Sequence, residues 1–218
     1  MRRAQAALDP RLYLVTDPDL IGARDLVEVV LAAVQGGVTL VQLRDKRPEV
    51  GEMVQAGRAL VAALAPTGVP LLVNDRVDVA LAIGAQGAHL GQRDMPLADA
   101  RRLMGPDAIL GLSIERLSEA AAVPDAADYI AASPVFGTPT KTDTAPPLGL
   151  EGVAALRAAS PLPLVAIGGL SAANAAEVIG AGAQGLAVVS AILGDPRRDL
   201  ADTRAAAARL RQIIDEAL

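Results

Sequence analysis

Cysteine is absent from this chain of 218 residues, which excludes disulfide bonds and thiolate chemistry. Histidine occurs once, at His89, and a single histidine cannot by itself make a zinc cluster. Tryptophan is absent too, and the aromatic side chains are limited to Tyr13, Tyr129 and Phe136. A bound ring would therefore be held by aliphatic walls and hydrogen bonds more than by aromatic stacking.

A general basic surface is missing as well. The formal net charge is -5 at pH 7, which argues against binding of nucleic acid or an anionic membrane through a broad positive field. Any phosphate site must therefore be local. No apolar run reaches the length that spans a bilayer, and no apolar segment of the signal-peptide type follows the Arg2-Arg3 start. We expect a cytoplasmic protein without nucleic-acid or membrane partners.

Lysine is scarce, since only Lys46 and Lys141 occur among the 20 lysine and arginine residues. In a chain that otherwise uses arginine, a retained lysine can mark a place that needs a compact point charge, for instance against a phosphate. The alternative is that both lie in loops because loops hold many surface charges. Around Lys141, proline and glycine fix the path of the loop and two threonines offer hydrogen bonds to an oxyanion.

Short runs rich in valine, leucine and isoleucine alternate with longer segments of helical spacing, which is typical of βαβ units and a parallel sheet. Eight strands are predicted: Leu12–Val15, Thr39–Leu43, Leu71–Val73, Ala88–Gly91, Ile109–Leu112, Tyr129–Ser133, Leu164–Ile167 and Leu186–Val189. Eight such units favour an α/β fold of the (β/α)8 TIM-barrel type, as a single domain over residues 1–218 with a short N-terminal extension over 1–10. The alternative is an open doubly wound sheet, whose glycine-rich dinucleotide motif is missing after the first strand.

The residues that follow the strands of a TIM barrel meet at one mouth, where barrel enzymes have their active sites. Asp75 and Asp94 follow two consecutive strands, and a pair of carboxylates beside several cations suits Mg²⁺. Each aspartate could instead cap the helix that follows it. Gly168-Gly169 and Val189-Ser190 end the last two strands, where barrels frequently bind phosphate through backbone N–H groups, although a tight turn would also need glycine.

His89 lies inside an apolar strand, where alternation could point it into the barrel or toward the helices. A lone histidine in such a strand is more often a hydrogen-bonded core residue than a catalyst. We therefore interpret His89 as part of the core.

Several separated motifs resemble those of the thiamine phosphate synthase family, in the family's order and over almost the whole chain. They are Leu12–Asp17, Gln42–Lys46, Asn74–Ala80, His89–Gln92 with Asp94, Thr138–Lys141, Ile167–Gly169 and Val189-Ser190. Members of this barrel family join the pyrimidine and thiazole halves of thiamine. The resemblance implies hydroxymethylpyrimidine diphosphate and hydroxyethylthiazole phosphate as substrates, thiamine phosphate and pyrophosphate as products, and Mg²⁺ as cofactor.

The resemblance also implies a role for each matched residue. The residues that would hold the pyrimidine diphosphate are Gln42, Leu43, Arg44, Asp45, Lys46, Asn74, Ser113 and Lys141. The residues that would hold the thiazole phosphate are Thr138, Pro139, Thr140, Gly169, Val189 and Ser190. Mg²⁺ would be bound by Asp75 and Asp94, and the catalytic group would be Arg44, Lys46, Ser113 and Lys141.

The chemistry of the family is dissociative, because pyrophosphate leaves first and the thiazole nitrogen then captures the pyrimidine methylene cation. Such a step needs no protein nucleophile, but it needs positive charge already in place around the leaving group. This chain departs from the family at Ala131-Ala132-Ser133, where a glycine-rich strand end is usual. We expect the extra methyl groups to narrow that wall of the pocket and to shift affinity.

Three alternatives remain open from the sequence. The related thiazole tautomerase shares the barrel but has a histidine near the end of the sixth strand, where this chain has none. A phosphosugar epimerase or isomerase needs an acid and base pair at the mouth, and no histidine is well placed for it. A non-catalytic barrel would bind thiamine precursors or a partner protein. The alanine-rich segment 203–218 could also meet a partner subunit in a homodimer.

Overall fold

A computed structural model describes residues 8–46, 49–137 and 146–218 of the chain. Eight parallel strands form a closed barrel, in which each strand pairs with the next and β1 also pairs with β8. Their bounds are β1 Leu12–Val15, β2 Leu40–Leu43, β3 Leu71–Asn74, β4 Gly87–Leu90, β5 Ile109–Ile114, β6 Tyr129–Ala132, β7 Leu164–Ile167 and β8 Gly185–Val188. The predicted TIM barrel is confirmed, and each predicted strand overlaps an observed one.

Helices surround the barrel and connect its strands. They are α1 Pro18–Ile21, α2 Leu26–Gln35, α3 Val50–Leu64, α4 Val77–Ile83, α5 Leu97–Met104, α6 Leu117–Ala120, α7 Gly149–Ala159, α8 Ala175–Gly180, α9 Ser190–Leu193 and α10 Leu200–Ala217, with a 3₁₀ turn at Ala65–Thr67. Asp25 and Asp199 accept hydrogen bonds from the first turns of α2 and α10, which satisfies N–H groups that a helix start leaves open. None of the described helices is long and apolar enough to cross a membrane.

Two apolar clusters follow from the alternation of side chains along the strands. The larger cluster lies between strands and helices and contains one set of strand residues, for example Leu14, Leu43 and Ala132. The smaller fills the barrel interior with Tyr13, Val15, Leu40, Leu72, Tyr129, Ala131, Val165 and Ala187. Leu8 packs against this interior cluster, so the described end of the proposed N-terminal extension contacts the barrel core.

Glycine at position 111 makes room for the ring of Tyr129, which is fully buried in the barrel interior. A Cβ atom at Gly111 would overlap the Tyr129 phenol. We therefore expect Gly111→Ala to lower the free energy of unfolding by about 1–3 kcal/mol, the usual cost of overfilling a packed core. Urea unfolding followed by circular dichroism measures this change.

Gly51→Ala is the matched control for that substitution. Gly51 lies in α3, and among the described residues nothing beyond its neighbours and its own helix backbone lies within 4 Å of a new Cβ. Alanine should therefore raise the free energy of unfolding by about 0.5 kcal/mol. Equal effects of the two substitutions would contradict the proposed packing of Tyr129.

Candidate active site

A cavity of about 1050 Å³ opens at the carboxyl ends of the strands. Ten of the residues to which the family resemblance gives a role line it: Gln42, Arg44, Lys46, Asn74, Asp75, Asp94, Ser113, Gly169, Val189 and Ser190. These residues come from loops and strand ends around the whole barrel, and parallel closure brings them to one mouth. The cavity has the size of a site for small organic ligands.

Other selected residues lie elsewhere. Leu43 is buried in the cluster between strands and helices, because side chains alternate along β2 and its neighbour Gln42 faces the interior. Asp45 is not among the residues that line the cavity. Thr138, Pro139, Thr140 and Lys141 lie outside the described residues.

Arg44 is held in place by the loop that follows β1. Its backbone N–H donates to Thr16 Oγ1 over 2.9 Å, and Thr16 Oγ1 donates back to the Arg44 carbonyl over 3.1 Å. The guanidinium also contacts Asp17 Oδ2 at 3.4 Å, and both side chains are largely buried. These contacts fix a cation at the wall of the cavity before any ligand arrives.

Asp75 adopts a backbone conformation that is rare for a residue with a side chain. Its φ is +61°, and Arg76 N donates to the Asn74 carbonyl over 2.7 Å, so Asp75 is the centre of a γ-turn of the strained type. Its own N–H donates to the His89 carbonyl over 2.9 Å, which continues the pairing of β3 with β4. Strain of this kind persists where the surrounding structure fixes it, often at functional sites.

The Asp75 side chain meets a cation and a second carboxyl group. Lys46 Nζ donates to Asp75 Oδ2 over 2.5 Å, and Gly91 N donates to Asp94 Oδ2 over 2.7 Å. Burial acts to raise the pKa of Asp75, but the Lys46 ammonium and the Asp94 carboxyl group outweigh it, so the pKa lies below its usual value. Burial raises the pKa of Asp94, and the neighbouring Asp75 adds to this effect. The two groups lie close enough to titrate as a pair.

These two aspartates have the chemistry of a Mg²⁺ site. Neither aspartate occupies the N-cap position of the helix that follows, since Arg76 precedes α4 and Pro96 precedes α5. In the part of the chain that the structure describes, no group of three or more histidine, aspartate or glutamate side chains could hold a metal ion. Two hard carboxylates that repel each other fit a cation that takes one or two protein oxygens and fills its shell with water and phosphate oxygens.

A glycine turn forms the opposite side of the mouth. Gly168 and Gly169 follow β7 with φ values of +102° and +65°. A Cβ atom on Gly168 would lie 2.6 Å from Pro134 Cβ, and one on Gly169 would lie 2.7 Å from the Gly137 carbonyl oxygen. The turn therefore needs glycine for both its conformation and its close packing, and it brings backbone to the cavity wall. Ser190 begins the short helix α9 beside it.

The sequence of this chain is similar to the sequences of known proteins. The family model described as thiamine monophosphate synthase matches residues 12–192. The chain belongs to the thiamine monophosphate synthase family. The thiamine-phosphate synthase of Albidiferax ferrireducens is 54% identical over 151 residues, which cover 69% of this chain and 69% of that protein. The thiamine-phosphate synthase of Solidesulfovibrio magneticus is 52% identical, over 69% of this chain and 72% of that protein.

A solved member of the thiamine monophosphate synthase family has the same barrel. Thiamine phosphate pyrophosphorylase from Pyrococcus furiosus superposes with a TM-score of 0.84 at 37% identity and covers 97% of this chain and 98% of its own. The tryptophan synthase alpha chain of Legionella pneumophila, at 17% identity and a TM-score of 0.66, is similar in fold alone. The family predicted from the separated motifs is confirmed.

Some residues that line the cavity are not part of the predicted site. Arg93 and Arg116 follow β4 and β5 and line the same cavity. Their position directly after strand ends was the available signal. His89 faces the barrel interior, and its ring nitrogens lie 2.8 Å from Tyr129 Oη and 2.9 Å from Ser113 Oγ. It is a core residue with hydrogen-bond partners, as interpreted, and it also lines the cavity.

Proposed function

We propose that this chain is a thiamine phosphate synthase, which couples hydroxymethylpyrimidine diphosphate with hydroxyethylthiazole phosphate and releases pyrophosphate. One observation carries the proposal: two cations, Arg44 and Lys46, and the carboxylate pair Asp75 and Asp94 line one cavity in a member of this family. Such a cavity provides what a departing diphosphate requires, because a metal ion and fixed cations can neutralise its charge.

Arg44, Lys46, Asn74, Ser113 and Gln42 bind the pyrimidine diphosphate in this proposal. The Arg44 guanidinium is oriented by Thr16 and Asp17, so it loses little conformational freedom when a phosphate binds. Lys46 is 56% exposed and reaches Asp75, so its flexible stem can bring the ammonium to a phosphate beside the carboxylates. Lys141 belongs to the same group by the family resemblance.

The thiazole phosphate binds at the other side of the mouth, at Gly169, Val189 and Ser190. Support comes from the positive φ of Gly169, which no larger residue adopts easily, and from the place of this turn after β7 and β8. Thr138, Pro139 and Thr140 complete this site by the family resemblance.

Asp75 and Asp94 would hold Mg²⁺, which would supply positive charge for the leaving pyrophosphate. In the reaction, the bond between the pyrimidine methylene and the diphosphate oxygen breaks, and its electron pair leaves with pyrophosphate. The lone pair of the thiazole nitrogen then forms the new carbon–nitrogen bond. No protein group has to give or take a proton in this exchange, and none has to act as a nucleophile. Arg44 and Lys46 hold the departing phosphates, and the cavity holds the nitrogen near the methylene.

The decisive experiment mixes both substrates with the purified chain and Mg²⁺ and detects thiamine phosphate by its oxidised fluorescent product. We expect product and pyrophosphate in equal amounts. Chelation of the metal should lower the rate by about 100-fold or more, because metal ions contribute several kcal/mol in such reactions. A tautomerase or a non-catalytic barrel would release no pyrophosphate, so its absence at every metal concentration would refute the proposal.

The single-domain organisation, the cytoplasmic location, the lack of nucleic-acid and membrane partners and the homodimer stay predictions of the sequence.

A further inference from the structure

A continuous chain of hydrogen bonds crosses the barrel interior beneath the cavity. Gln42 Nε2 on β2 donates to Tyr13 Oη over 2.6 Å, and Tyr13 Oη lies 3.0 Å from Tyr129 Oη. Tyr129 Oη lies 2.8 Å from His89 Nδ1, and His89 Nε2 lies 2.9 Å from Ser113 Oγ on β5. Both ends of the chain, Gln42 and Ser113, line the cavity, while the two phenols are fully buried.

The chemistry of the first donor sets the direction of every later bond. An amide nitrogen can only donate, so the Tyr13 oxygen accepts from Gln42 and directs its own proton to Tyr129. Tyr129 then directs its single proton to His89 Nδ1, which must accept. The neutral ring therefore carries its proton on Nε2 and donates it to Ser113 Oγ.

We propose that Tyr13, Tyr129 and His89 are positioning residues that give the cavity a fixed hydrogen-bond polarity. Ser113 already accepts a hydrogen bond from His89, so it presents its own hydroxyl proton as a donor to the cavity. Gln42 uses its amide nitrogen on Tyr13, so it presents its carbonyl oxygen as an acceptor. The inference rests on the proposed function for the identity of the ligand, whose pyrimidine and diphosphate offer matching acceptors and donors.

Because the phenols are buried, the hydrogen bonds of this chain keep or reverse their direction together. Desolvation raises the pKa of both phenols, so Tyr13 and Tyr129 keep their protons and remain donors. A reversal at one phenol would leave its neighbours with two donors or two acceptors facing each other, so all of the bonds must reverse together. The amide of Gln42 is the group that selects one direction over the other.

The only histidine of the chain makes this proposal directly measurable. Nitrogen NMR of the metal-free, ligand-free protein, labelled on histidine, reports which ring nitrogen of His89 carries the proton. For the neutral ring, whose two nitrogens give different chemical shifts, we expect the proton on Nε2. A wild-type protein with the proton on Nδ1 would overturn the proposal.

Gln42→Glu replaces the donor at the far end of the hydrogen-bond chain with an acceptor. A carboxylate of the same shape can only accept, so Tyr13 should donate to it and Tyr129 should donate to Tyr13. His89 should then carry its proton on Nδ1, and Ser113 should donate to Nε2. The expected result is a transfer of the His89 proton from Nε2 to Nδ1, across three intervening hydrogen bonds. An unchanged tautomer in the folded variant would overturn the proposal.

Two further variants separate polarity from loss of packing. Gln42→Met supplies neither donor nor acceptor, so both tautomers of His89 should be populated, and retention of Nε2–H alone would contradict the role of Gln42. Val165→Ala removes apolar contacts in the same interior cluster and changes no residue of the hydrogen-bond chain. It should lower stability and leave the tautomer as in the wild type.

Tyr13→Phe tests the consequence for binding. Loss of the phenol frees Gln42 to turn, so the KM for the pyrimidine diphosphate should rise by about 5-fold, the usual effect of one lost hydrogen bond. The KM for the thiazole phosphate should not change, whereas a general structural defect would affect both. If the chain had no synthase activity, the NMR results would still stand, so failure of the proposed function can be recognised separately.

Discussion

Lys46→Ala should lower kcat by about 100-fold or more while the barrel stays folded, because the substitution removes a positive charge that stabilises the leaving group. The Lys46 ammonium contacts Asp75 Oδ2 at 2.5 Å, at the wall where the diphosphate is proposed to bind. Since the side chain is more than half exposed, its ion pair contributes at most about 1 kcal/mol to folding. Steady-state kinetics and thermal unfolding measure the two effects.

Two companion variants sharpen the Lys46 test. Arg102→Ala removes a cation of α5 whose side chain is 76% exposed and forms an ion pair with Asp99. Because this pair lies on the surface, kcat should remain within about 2-fold of wild type. Lys46→Arg keeps the charge but replaces a compact ammonium with a broader, planar group, so it should recover part of the lost turnover. If Lys46→Ala kept nearly full activity, the lysine would belong to the solvated surface.

The barrel could be predicted from the sequence because its signal is local. Each strand is a short apolar run bounded by glycine, proline or polar residues, and such runs depend on composition more than on distant contacts. The polar residues after the strands could be predicted for the same reason, since parallel closure carries every strand end to one mouth. Leu43 shows the limit of motif matching. It belongs to the matched motif, but its side chain points toward the helices because side chains alternate along a strand.

The interior network could not be predicted in this way. Tyr13, His89 and Tyr129 are separated along the sequence, and each is an ordinary member of an apolar strand. Only the closed barrel brings the three side chains together, with Gly111 leaving the space for the Tyr129 ring. The conformation of Asp75 was equally hidden, since aspartate after a strand is compatible with a helix cap and with a strained turn.

Asp75→Gly and Asp75→Ala should both lower kcat by about 100-fold or more, because each removes a proposed ligand of the metal ion. Their stabilities should differ in an unusual direction. At ordinary positions alanine is more stable than glycine by about 0.4–1 kcal/mol, because glycine has more freedom in the unfolded chain. At a φ of +61°, alanine must carry strain of about 1–2 kcal/mol that glycine avoids, so the glycine variant should be the more stable.

Urea unfolding of the metal-free proteins, measured for wild type and both Asp75 variants, separates the two roles of this residue. Greater stability of the glycine variant, with both variants equally inactive, would assign the strain to the backbone and the activity to the carboxylate. Added Mg²⁺ should raise the unfolding midpoint of the wild type and of neither variant, because only a folded site with both carboxylates gains from binding. An alanine variant as stable as the glycine variant would mean that the turn relaxes freely. In that case the ion pair with Lys46, and not the backbone, would hold the Asp75 carboxylate beside Lys46 and Asp94.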